Sequence, residues 1–199
     1  MQKSFIILVF SLVVYKVTLA QFEFANDRDT SWRIQSWSAN VLKEKFNVDK
    51  DNDFELRLWI FENQKSNVFP TLFILSFKNQ KWRARLFEDM SEKRIHEIPI
   101  EQTGLDSLWN NLNNYDLLTI PHFDKLFDLN EKVVDEMEYS QKMDRSYSFE
   151  LLAKGKVRHY SYYCPNKWAA KYLDITTFRK VSSIVQLIIS YCKLVYKIC

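Results

Sequence analysis

Arg158, Tyr160 and Tyr162 alternate along one stretch of the chain, and Tyr147 and Phe149 alternate along a stretch shortly before it. In extended backbone, residues two apart share a face. The first three therefore form one stripe and the other two a second, and a turn at Lys154-Gly155 brings the stripes side by side. Guanidinium and phenol groups carry hydrogen-bond donors on a large contact surface, a combination favoured where proteins meet partners. If that face is exposed, it could stack sugar rings or hold a peptide or protein segment. If it is covered, it is a set of cross-strand contacts beneath a helix or loop, the usual fate of aromatic stripes.

Other chemistries leave thinner traces. Gly104 and Gly155 are the only glycines. Phosphate-cradling loops, the dinucleotide fingerprint and the serine elbow each need several glycines close together. That argues against those classes without excluding every enzyme. His96, His122 and His159 lie in three separate segments, with neither a His-Glu-x-x-His run nor zinc-spaced cysteines. Asp49, Asp51 and Asp53 match the first oxygen positions of a calcium loop, but Phe54 stands where that loop needs glycine and Ile60 where it needs glutamate. A solvated turn is the expected reading, and neither a metal nor a cofactor is implied. His159 and Cys164 have opposite parity along one strand, which sets them on opposite faces and disfavours a dyad. No catalytic residue is assigned.

The three cysteines are Cys164, Cys192 and Cys199. Cys164 ends the second aromatic stretch and Cys192 lies late in a helical one. A bridge between them would staple helix to sheet, worth roughly 3–4 kcal/mol on the loop-entropy model. The alternative is that both are reduced core residues. Cys199, at the chain end, is expected to be a frayed thiol.

These residues sit in a chain with an exporting start. Lys3, the apolar run Phe5–Tyr15 and the small residues of Thr18-Leu19-Ala20 form a signal peptide over residues 1–20. The run falls short of the roughly 18–20 apolar residues a membrane span needs, so no stable membrane insertion is expected after cleavage. A periplasmic or secreted location follows. Loss of Lys3 and Lys16 leaves 26 basic and 25 acidic side chains, a net of +1. That balance lacks the basic footprint of nucleic-acid binding. It hides an asymmetry: residues 101–141 carry −7 and residues 142–199 carry +8. Such runs are usually solvated or face each other.

The elements that position these residues follow from periodicity. Ile34, Trp37 and Val41 predict a helix over residues 32–46. Phe54–Phe61, Thr71–Phe77 and Trp82–Phe87 alternate as strands, the last two closed by Lys78-Asn79-Gln80-Lys81, and Arg94–Ile100 adds an edge strand confined by Pro99. Thr103 is placed as the cap of a helix marked by Leu105, Leu108, Trp109 and Leu112. Thr119–Met143 is acidic and ambiguous. The aromatic hairpin ends at Cys164-Pro165. Thr176 or Thr177 then caps a last helix with a stripe from Phe178 through Val181, Val185 and Ile188 to Cys192.

The expected fold is α+β: one domain over residues 21–199, with an antiparallel sheet of five or six strands, helices packed on one face and a C-terminal amphipathic helix. Three stretches together carry a resemblance: Phe54–Phe61 with its Arg57-Leu58-Trp59, Lys81-Trp82-Arg83-Ala84, and Arg145–Glu150 followed by Arg158–Pro165. They resemble uncharacterised exported proteins of Gram-negative bacteria that share a signal peptide, an Arg-Leu-Trp strand and a Tyr-rich hairpin before a C-terminal helix. The resemblance implies an exported setting and no activity. The expectation is a non-enzymatic binding module for a protein, peptide or glycan. It would present either the aromatic face or the acidic Asp124–Glu138 stretch. The alternative is a small exported hydrolase with a site assembled from scattered residues.

Overall fold

Strand β1 runs from Phe54 to Glu62 at the centre of the molecule. The computed structural model describes residues 22, 24, 52–62, 70–88, 95–126, 145–153 and 156–194. The leader, the helix expected over 32–46, the acidic stretch 127–144, the turn at Lys154-Gly155 and Cys199 lie outside them. β2 spans Thr71–Lys78, β3 Lys81–Glu88 and β4 His96–Ile98. Helix α1 covers Leu105–Asn114, and a 3₁₀ turn covers Phe123–Leu126. β5 is Arg145–Ala153, β6 Lys156–Tyr163, α2 Pro165–Lys171 and α3 Thr176–Tyr191. The six strands pair antiparallel in the order β4-β3-β2-β1-β5-β6. With the three helices of the described residues, this open sheet is an α+β fold.

Period-two patterning sorts the sheet into two faces. On the inner face, Phe54, Leu56, Leu58 and Ile60 of β1 join Phe73 and Leu75 of β2. They form one core with Leu108 and Leu112 of α1 and Phe178, Val181, Val185 and Ile188 of α3. The outer face carries a second, smaller apolar cluster of Trp59, Leu72, Ile74 and Phe87. Beside it lies a row of charged side chains.

The β2–β3 hairpin closes with two residues, Asn79 at φ 50 and Gln80 at φ 62. Left-handed backbone at both centres is the turn whose twist matches the flanking strands. It fixes the pairing Lys78↔Lys81.

The helix starts differ from the expected ones. Thr103 does not cap α1; its hydroxyl donates to the Glu101 carboxylate. Gly104 holds the cap position at φ 72, where only glycine sits without a Cβ penalty. Neither Thr176 nor Thr177 caps α3. Ile175 precedes the helix without a side-chain hydrogen bond, and the start is tied instead by Phe178 N–H to Ile175 C=O at 3.3 Å. The hairpin does not end in a plain stop at Pro165, because the proline is the first residue of α2, where its missing N–H costs nothing.

Candidate functional site

The aromatic stripe offered by the sequence is not a surface. Tyr147, Phe149, Arg158, Tyr160 and Tyr162 are brought together as expected, but on the inner face, and all five are buried. The chain covers its own stripe. Tyr160 Oη–H donates to Leu117 C=O at 2.8 Å and Tyr162 Oη–H to Pro121 C=O at 2.6 Å. Arg158 donates to the carbonyls of Leu118 and Ile120. The segment leaving α1 is thus held across β6 by side chains at three alternating positions. Phe149 stacks on Tyr160 at 4.8 Å, and Phe178 of α3 meets Tyr162 at 6.1 Å. Donors placed two residues apart do recognise a peptide; the peptide is residues 117–121 of the same chain.

The Cys164–Cys192 bridge does not form. Cys192 is a free, buried thiol on the inward stripe of α3, where burial pushes its pKa up to about 12. Cys164 is disulfide-bonded, but not to Cys192. It sits at the start of α2 with φ 37, and Lys167 N–H donates to its carbonyl at 3.0 Å. Cys164 also holds the cap position of α2, a helix that the sequence reading lacks.

The outer face gathers charged groups that the sequence scatters. Register puts Arg57 opposite Glu150, and Glu150 opposite His159. Arg57 Nε–H donates to Glu55 Oε1 at 2.5 Å, and Nη1–H donates to Glu150 Oε2 at 3.3 Å. His159 Nε2 lies 2.9 Å from Glu150 Oε1, and Asn52 Nδ2–H donates to Glu55 Oε2 at 2.7 Å. The Arg57 and Glu55 side chains are only 5% and 7% exposed. Burial alone would raise the Glu150 carboxyl, but the His159 ring and the Arg57 guanidinium outweigh it, and its pKa lies below the ordinary value. Ser148 and Ser161 pair one register row further along the same face, and their hydroxyls make no hydrogen bond to His159 among the described residues. The row therefore holds a carboxylate–imidazole pair.

Towards β3 the same face opens into a groove of about 1140 Å³. Among the described residues, five cations line it, Arg57, Lys78, Lys81, Arg83 and Arg85, against two carboxylates, Glu55 and Glu97. Arg85 grips Glu97 through two parallel bonds, Nε–H to Oε1 at 3.0 Å and Nη2–H to Oε2 at 2.8 Å. That grip holds the Glu97 pKa below, and the Arg85 pKa above, their ordinary values. Arg83 adds attraction to Glu97 through space. Among the described residues, Lys81 and Arg83 make no salt bridge, and both are exposed. Lys78 and Lys81 stand directly opposite each other on one face, an arrangement that destabilises a strand pair.

Sequence reasoning missed this site. Its one legible signal was Lys81, Arg83 and Arg85 alternating along β3. Their neighbours Lys78, Arg57 and Glu97 come from three other strands and meet them only through register. No described helix is long and apolar enough to cross a membrane. A scan against protein-family models finds no match, and neither does a search of curated proteins.

Proposed function

We propose that the protein is an exported, non-enzymatic binding domain that takes an acidic ligand into the groove beside β3. One observation carries this reading: five cations face two carboxylates in an open groove on a chain whose mature charge is nearly balanced. The Lys78↔Lys81 pairing supports it, because two like charges set directly opposite each other disfavour the strand pair, and a site for an anion would keep them there. The signal peptide at residues 1–20 supports delivery to the periplasm or the exterior. Polyglutamate, polylysine and neutral dextran test it by calorimetry at low salt. Polyglutamate is expected to bind, the other two are not, and Arg83→Glu is expected to abolish the binding. Equal binding by that variant would remove the groove from the reading.

A second reading, a small exported hydrolase, has the Glu150–His159 pair behind it. It is the weaker one, because Arg57 binds Glu150 on the side away from His159 and so anchors the carboxylate within the sheet. Turnover of ester, phosphoester or peptide probes that disappears in His159→Ala would favour it.

A further inference from the structure

We infer that the acidic ligand is an extended peptide that adds to the sheet along the part of β3 that no described strand pairs with, taking the place now held by the Gln102 side chain. The inference rests on the acidic-ligand reading of the groove and names the ligand's class and pose.

Among the described residues, β4 pairs with β3 only from Leu86 to Glu88, so Lys81–Arg85 is sheet edge. Which backbone groups point outward along it is fixed by the other side of β2. Phe77 C=O accepts from Asp53 N–H at 2.9 Å and therefore faces β1. Its partner Trp82 in β3 then faces away from β2, and by alternation so does Ala84.

Ala84 already shows what that edge binds. Its N–H donates to Gln102 Oε1 at 3.1 Å, and its C=O accepts from Gln102 Nε2 at 2.9 Å. These are the two bonds that one residue of a neighbouring strand would make. The plug is a single exposed side chain, also bonded to Ile100 C=O at 3.1 Å. An incoming strand could repeat both bonds at Ala84 and add those of Trp82.

The side-chain pattern of the peptide follows from the pleat. Lys81, Arg83 and Arg85 point to the groove side, while Trp82 and Ala84 point to the core side. Glu97 of β4 gives the mode of contact: a carboxylate on the next strand reaches diagonally to Arg85. A peptide continuing the line of β4 would place acids opposite Arg83 and Lys81. The residue between them would meet Trp82 and Ile100, both partly buried apolar side chains. The recognised pattern is acid–apolar–acid, bound by main-chain pairing with alternate side chains supplying specificity.

The experiment titrates the full-length protein, without its leader, with four probes. They are a blocked Glu-Val-Glu-Val-Glu peptide, the same peptide with N-methylated valines, a composition-matched peptide with its glutamates contiguous, and a sulfated oligosaccharide. The alternating peptide is expected to bind and to slow amide exchange at Trp82. N-methylation is expected to weaken it at least about tenfold, as loss of edge hydrogen bonds requires. Gln102→Ala, with an unchanged melting temperature, is expected to tighten binding about fivefold by removing the competitor. Equal binding of the N-methylated or contiguous peptide, or unchanged affinity in Gln102→Ala, would overturn strand addition and leave an acidic groove. Binding of the oligosaccharide alone would overturn the peptide class. If none of the four binds, the acidic-ligand reading itself falls.

Discussion

At Tyr160, packing and hydrogen bonding can be separated by one atom. The ring stacks on Phe149, while the hydroxyl serves Leu117 C=O. Tyr160→Phe keeps the first and strands a buried carbonyl, so it should cost about 1 kcal/mol in urea unfolding. Arg158→Leu strands the carbonyls of Leu118 and Ile120 together and should cost about 3 kcal/mol. Glu150 makes a prediction in pH. Its folded pKa is lowered from 4.5, so the stability it supplies is complete above that value and is lost as pH falls through the folded pKa. Below about pH 4.5 the urea midpoint of the wild type should fall more steeply than that of Glu150→Gln, since only the wild type has that proton to take up. The thiols divide as sharply. Cys192, buried with its pKa near 12, should resist iodoacetamide in the native protein and react in urea without reductant. Cys164 should label only after reduction, which peptide mass mapping would read.

Elements are where the sequence was most informative, and where its silence has a physical cause. β3 and β6 were legible because one face of each is buried, and burial imposes the alternation that a reader sees. β1, β2 and β5 are largely buried on both faces and were legible as strand-length runs rich in aromatic and branched apolar residues. α3 was legible because its inward stripe runs the full helix. α2 was not, since seven residues hold too few turns for periodicity and Cys164-Pro165 reads as a terminator. The caps were misplaced because Gly104 takes the start of α1 through its left-handed backbone and Ile175, packed against the core, precedes α3, neither of them through a hydroxyl. The aromatic stripe was legible as one face, but what covers it was not, because nothing local says that residues 117–121 return to lie across it. The groove was illegible for a related reason: a charge on one strand acquires its meaning only from the strand laid beside it. At the β2–β3 turn the same logic yields a prediction. Gln80 occupies left-handed backbone at φ 62, a conformation that costs a non-glycine residue roughly 1–2 kcal/mol. Gln80→Gly makes the turn Asn-Gly, the pair best suited to it. After the entropy lost by the unfolded glycine is offset, it should stabilise the protein by about 0.5 kcal/mol in urea unfolding.

For the whole molecule, charge matters by placement more than by sum. The acidic 101–141 run and the basic 142–199 run meet at least once, where Lys180 of α3 bonds the Asp116 carboxylate. That contact bears out the bland reading of the asymmetry at one point. Among the described residues, Lys81 and Arg83 of the β2–β3 hairpin have no such counterweight, and this sets stability against binding at Lys81. In the free protein Lys81 faces Lys78 across the pair. Lys81→Glu turns a repulsive cross-strand pair into an attractive one and should raise the unfolding free energy by about 0.5 kcal/mol. A core residue or a neutral surface position would not then also control ligand affinity. In the groove, the same substitution removes one of five cations and adds a third carboxylate, so binding of an acidic ligand should weaken at least about tenfold. Raising salt should narrow both differences together, because both are electrostatic and exposed charges are largely screened beyond about 10 Å at 0.1 M. Urea unfolding and calorimetry on the same two proteins at low and high salt read all four quantities. A variant that becomes more stable while binding as well as before would mean that the hairpin cations serve neither fold nor ligand.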